Sequence, residues 1–183
     1  MTRLLSILSV VIAFTVLNGC VSTMTKGADR RTEGAYIEDN TIADTATSRI
    51  KNKYADKVHI NITSYNRKVL ITGEVADEGV KSDITRIVGG VQNVSGINNE
   101  LVIGPLSDLS SRSGDSFTNG NVKLRLQNNG SKEFRAERIT VVTEASIVYL
   151  LGLITQAEAK SATDIASTSR GVKKVVPLFE YID

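Results

Sequence analysis

One cysteine and one histidine are all this chain offers toward thiol or imidazole chemistry. Cys20 closes the tetrapeptide Leu17-Asn18-Gly19-Cys20 at the end of an apolar run, and a lone cysteine cannot form an internal disulfide. It can instead serve as a point of covalent acylation. His59 falls on the polar side of an alternating segment, which predicts an exposed residue rather than a general base. No Asp/Glu/His group has metal-ligand spacing, and Gly89-Gly90 lacks the glycine pattern and lysine of a phosphate loop. Asp39 and Asp77-Glu78 stand where helix caps and turns call for carboxylates. The residues therefore predict no catalytic group, no cofactor and no metal.

The segment that positions Cys20 has the layout of an export signal. Arg3 gives a positive start, Leu4 to Leu17 is mostly apolar, and Asn18-Gly19 is a small-residue exit. Its 14 residues are too few to span a hydrocarbon core, which takes about 20 residues as a helix. The tetrapeptide is similar to the bacterial lipobox: Leu17, Gly19 and Cys20 fit it, and Asn18 is bulkier than usual. That similarity implies removal of residues 1–19 and a mature N-terminal Cys20 carrying a diacylglycerol and an amide-linked acyl chain. Two or three chains, at about 0.8 kcal/mol per buried CH₂, hold firmly where one holds marginally. In such lipoproteins an Asp after the cysteine favours the inner membrane. Val21 stands there, so the expected location is the outer membrane, lipid-anchored and facing the periplasm.

Removing 19 of 183 residues leaves 164, enough for one ordinary domain or two small ones. The formal charge of +2 falls to +1 with the loss of Arg3, so no basic field points to nucleic acid as partner. Nor does any motif point to a small-molecule substrate. Val21 to Glu38 is polar and reads as a tether. Gly104 to Gly114, with Pro105 and four serines, reads as a linker.

Laid against itself, the chain repeats. At an offset of 79, Ile60 meets Ile139, Val69 meets Val148, Gly73 meets Gly152, and Lys81-Ser82 meets Lys160-Ser161. At an offset of 81, Ile84 meets Ile165, Gly90 meets Gly171, Val91 meets Val172 and Val94 meets Val175. This predicts two copies of one module, with two extra residues near the start of the second copy's later helix.

In the first copy, Ile42, Ala46 and Ile50 predict a helix over 41–54, capped by Asp39 or Asn40. Strands follow over 58–62 and 69–75 around a turn at Ser64 to Lys68. Then come a helix over 79–89 and a strand over 97–103 that returns beside a parallel neighbour. The second copy has a weaker first helix, because Phe117 to Leu126 contains Gly120 and the alternating Val122, Leu124, Leu126; a strand there stays open. Strands over 138–142 and 147–154, a helix over 157–169 and a strand over 174–182 complete it. About 60 residues per copy bury only a modest core, so contact between copies would help both.

The cores Val69-Leu70-Ile71-Thr72-Gly73-Glu74-Val75 and Val148-Tyr149-Leu150-Leu151-Gly152-Leu153-Ile154 resemble the BON domain. So do the sequences Gly90-Val91-Gln92-Asn93-Val94 and Gly171-Val172-Lys173-Lys174-Val175 that follow the helices. The resemblance, covering roughly 40–183, implies an α+β chain of two tandem domains. Each is αββαβ, with a small mixed three-stranded sheet packed by two helices. The expected boundaries are a signal at 1–19, a lipidated tether at 20–38, a first domain at 39–104, a linker at 105–114 and a second domain at 115–183.

Similarity to two-domain BON lipoproteins of the outer membrane implies a non-enzymatic role: anionic phospholipid bound by the second domain in support of envelope integrity, with division sites among the locations it implies. The lipid surface implied by that group maps to Phe117, Val122, Lys123, Arg125 and Leu126. An exposed Phe117 among Lys123, Arg125, Lys132 and Arg135 would set an apolar wedge and cations against head groups. The alternative is core packing for Phe117 and Leu124 with a solvated charged face. Two competing functions remain open. One is an adaptor for envelope proteins such as a protease or an assembly machine, acting through a sheet edge; the other is an osmotic-stress accessory.

Overall fold

A computed structural model describes residues 29–129 and 135–183. The signal segment, Cys20, the start of the tether and Lys132 lie outside the described residues. No helix among them is long and apolar enough to cross a membrane.

Helix α1 (Glu33–Tyr54) is followed by a 3-10 turn at Ala55–Lys57 and the hairpin β1 (His59–Tyr65) and β2 (Lys68–Val75). Helix α2 (Glu78–Gly89) crosses to β3 (Gly96–Asn99) and β4 (Val102–Ile103), both parallel to β2. The second copy repeats the order: α3 (Leu109–Asn129), a 3-10 turn at Ala136–Arg138, β5 (Ile139–Glu144), β6 (Ile147–Ile154), α4 (Gln156–Ser167) and β7 (Lys174–Tyr181). Here β5 and β6 are antiparallel, and β7 runs parallel to β6. The chain is α+β in two αββαβ units, as the sequence predicts.

Several boundaries differ from the sequence reading. Helix α1 starts eight residues before 41 and takes in the end of the predicted tether; Thr32, not Asp39 or Asn40, caps it by accepting the Ala35 N–H. Helix α3 runs through the end of the predicted linker and through Gly120, so the strand alternative for 117–126 is wrong. Propensity loses here to packing, because Val122 and Leu126 insert into the second core. Strand pairing also corrects the repeat register. Val69 faces Ile97 and Val148 faces Val175, so Val175 corresponds to Ile97 rather than Val94. The caps Asp77 and Thr155 agree, making the second copy one residue shorter before its later helix, not two longer. Gly90 and Gly171 are therefore not equivalent.

Gly73 and Gly152 are equivalent, and both are required. Each lies opposite the start of the first strand, where a Cβ would fall 2.0 Å from the His59 carbonyl oxygen or 2.7 Å from that of Arg138. Both hairpins turn on two residues of positive φ, Asn66-Arg67 and Ala145-Ser146, as tight two-residue connections demand. One carboxylate from the preceding helix holds each turn. Asp39, 2% exposed, accepts the Asn66 and Arg67 N–H groups at 2.8 and 2.7 Å, and Asp115 accepts those of Ala145 and Ser146, both at 2.8 Å.

Each copy packs one sheet face on its own helices. Ile42, Ala46, Ile50, Val69, Ile71 and Ile84 form one core; Val122, Leu126, Val148, Leu150, Ile154 and Ala162 form the other. The opposite faces pack against each other: Tyr65 and Leu70 of the first copy bury with Tyr149 and Leu151 of the second. This seam is why β2 is buried on both sides along nearly its whole length.

Candidate functional site

Two surfaces combine chemistry with position. The first is the outward side of α3. At 3.6 residues per turn, Thr118, Val122 and Leu126 form one stripe, and it faces the core. Val122 and Leu126 are fully buried, so their assignment to a lipid surface is corrected: a side chain that closes the second core has no atoms left for a head group. On the opposite side lie Leu109, Phe117 and Leu124, exposed by 79%, 63% and 57%. Lys123 is exposed beside them. Arg125 is half-buried and reaches back to Ser169 Oγ at 3.4 Å. Arg135 is exposed in the segment before the 3-10 turn. The alternative that Phe117 and Leu124 are core is thus excluded. Leu109 belongs to this surface and was missed, because the serine-rich run around it reads as linker.

The second surface is the polar part of the seam. Asp29, Arg30 and Arg31 form a strap across it. Arg31 pairs with Asp39 at 2.8 Å and with Asp29 at 2.6 Å, and lies 4.0 Å over the Tyr65 ring. Tyr65 donates to Asp29 at 3.2 Å and accepts the Leu153 N–H of the second copy at 3.2 Å. Burial pushes the Tyr65 hydroxyl up to about 12, with Asp29 adding to it. Arg30 reaches the second copy outright, pairing with Glu158 at 2.6 Å and donating to the Leu153 carbonyl at 3.1 Å.

Glu158 also closes the capping box of α4 with Thr155 and pairs with Arg138. Burial alone would raise its carboxyl, but the bonds from Arg30, the Thr155 amide and Arg138 outweigh it and hold the group at about 2.

His59 lies in this seam as well. Its side chain is 17% exposed, which corrects the expectation of an exposed residue: Glu144 of the other copy stands against it, while Asn61 on the same side of β1 stays exposed. Glu144 Oε1 stands 3.5 Å from His59 Nε2, while its Oε2 accepts from Asn61 at 2.7 Å and Thr72 at 3.2 Å. Glu74, 9% exposed, accepts from Ser107 N–H and Oγ at 3.2 and 3.1 Å. One donor atom from each of His59, Glu74 and Glu144 falls within 4.8 Å of the others. The sequence reading found no metal-ligand spacing, and none exists locally, because these residues come from three strands in two copies.

Comparison with known proteins fits both the duplication and the fold. The BON domain family matches twice, at residues 38–105 and 116–183. The chain is 34% identical over 177 residues to the outer membrane lipoprotein DolP of Haemophilus influenzae, covering 91% of each chain. It is 27% identical over 160 residues to a 21 kDa hemolysin of Actinobacillus pleuropneumoniae, covering 86% of this chain and 81% of that one. Among solved structures, CdsD, a structural protein of the type III secretion system of Chlamydia trachomatis, aligns over 79% of this chain and 90% of its own. That alignment has 11% identity and a TM-score of 0.30, too low to carry an argument.

Proposed function

Because this chain belongs to the BON-domain family and is an outer-membrane lipoprotein of that family, we propose that its second domain binds anionic phospholipid through the outer side of α3. The observation that carries this reading is the position of Leu109, Phe117 and Leu124. They line the side of an amphipathic helix that its own core does not use, with Lys123 beside them. An apolar wedge of this kind enters the boundary between head groups and acyl chains, and each flanking cation adds about 1 kcal/mol near an anionic surface.

Cys20, acylated as the mature N-terminus, supplies the first attachment and α3 the second. Tethering raises the local lipid concentration enough for a weak intrinsic affinity to matter. The role is binding rather than turnover, facing the periplasm, in support of envelope integrity and at division sites. Purified protein is expected to hydrolyse no lipid, peptide or glycan.

Soluble protein lacking residues 1–20 should pellet with anionic vesicles and not with zwitterionic ones. Phe117→Glu should weaken this by roughly tenfold or more, since burying one such side chain is worth about 1.5–3 kcal/mol. Absence of pelleting would turn the reading to an envelope protein partner, to be sought by crosslinking.

A further inference from the structure

We infer that His59, Glu74 and Glu144 form a divalent-metal site of the Zn²⁺ class that clamps the two domains together. Four observations support this. The donor set is right: one imidazole nitrogen and two carboxylate oxygens lie within 4.8 Å of one another. Tetrahedral zinc holds such atoms about 3.3 Å apart at bond lengths of about 2.0–2.1 Å, so small side-chain rotations close the site and leave a fourth position for water.

The charge also asks for a cation. Glu74 and Glu144 are each more than nine-tenths buried, and among the described residues neither has a Lys or Arg ion pair. Burying carboxylates without a compensating charge is costly, and a divalent ion supplies it. Arg112 lies on the wall of the same cleft but is turned to Ser107, donating to its carbonyl at 2.9 Å and its Oγ at 3.2 Å.

The ligands are already oriented. Asn61 and Thr72 fix one oxygen of Glu144, and Ser107 fixes one of Glu74, which leaves the other oxygen of each carboxylate for a metal. Finally, there is an entry path to two of the three ligands: a cleft of about 380 Å³ is lined by His59 and Glu144 together with Asn61, Asp115 and Asn119, with Glu74 behind its wall. The imidazole favours zinc over magnesium or calcium. Two ligands come from the first domain and one from the second, so a bound ion would oppose their separation. The inference is independent of lipid binding by α3.

The test uses the full chain in detergent, stripped with chelator, then titrated with Zn²⁺ or Mg²⁺ and followed by calorimetry and thermal unfolding. One Zn²⁺ per chain and a higher unfolding temperature are expected, with no effect of Mg²⁺ at equal concentration. His59→Ala and Glu144→Gln should each weaken zinc binding by about tenfold or more. Glu74→Gln is a third variant should either of those two fail to fold without metal. Zinc binding that is absent, or that keeps its affinity in the folded variants, overturns the site.

Discussion

Helices α1 and α3 occupy the same place in the two copies and match residue for residue at an offset of 76, from Glu33 and Leu109 onward. Inside, they agree. Asp39 and Asp115 clip the hairpin turns, and Ala46 and Ile50 correspond to the core residues Val122 and Leu126. Outside, they part: Glu33, Thr41 and Ser48 of α1 stand where α3 has Leu109, Phe117 and Leu124, and α1 keeps Ile37 exposed between them, where α3 has Ser113. Helix α1 also carries four acidic residues to one in α3. The duplication has kept what folding requires and let the solvent side diverge. An apolar stripe that folding does not require is the mark of a binding surface.

The largest way to break the shared part is at the clips. Asp39→Ala should destabilise the protein by on the order of 3 kcal/mol, because it frees two turn N–H groups and strands much of the buried Arg31 charge. Asp115→Ala loses only the two turn bonds and should cost about 1–2 kcal/mol. Urea unfolding of both variants measures the difference; equal losses would mean the Arg31 strap adds nothing to the first clip.

Acid separates the copies in a second way. Glu158 of the second copy is held at about 2, well below the ordinary glutamate value of 4.5, so it stabilises the fold above pH 4.5 and loses that contribution as pH falls through 2. The first copy has Val80 at the corresponding place. Its depressed carboxylate, Asp83, is held down mainly by Lys53, but both Lys53 and Arg86, its cationic partners, are exposed, so the pairing is screened and contributes little. Stability should therefore fall between pH 4.5 and 2, and Glu158→Gln should flatten that window. An unchanged acid limb in the variant would show that neither the Arg30 pairing across the seam nor the Arg138 pairing within the second copy contributes to it.

How much of this was legible follows from the range of the interactions. Alternation at Val58, Ile60 and Ile62 and the glycine after each hairpin showed the duplicated sheet, because strand pattern and close backbone approach are local signals. His59 read as solvated, since nothing near it in the chain says that Glu144 will stand against it. Gly114, Gly120 and the serines hid the length of α3, which only the contacts of Val122 and Leu126 with a sheet formed later in the chain can stabilise. Phe117 and Lys123 are exposed on the outer side of α3, as a lipid surface there would require. Val122 and Leu126 were not, because a family surface carried over by position does not distinguish one side of a helix from the other.

The smallest change in stability should come from the outer residues themselves, within about 0.5 kcal/mol for exposed sites. They also give the most direct measurement. In soluble protein, Leu109→Glu, Phe117→Thr and Leu124→Ser together give α3 the outer residues of α1, and pelleting with anionic vesicles compares this variant with the unaltered protein. The prediction is loss of vesicle binding with unchanged unfolding. Binding retained by the folded triple variant would contradict the assignment of lipid recognition to α3.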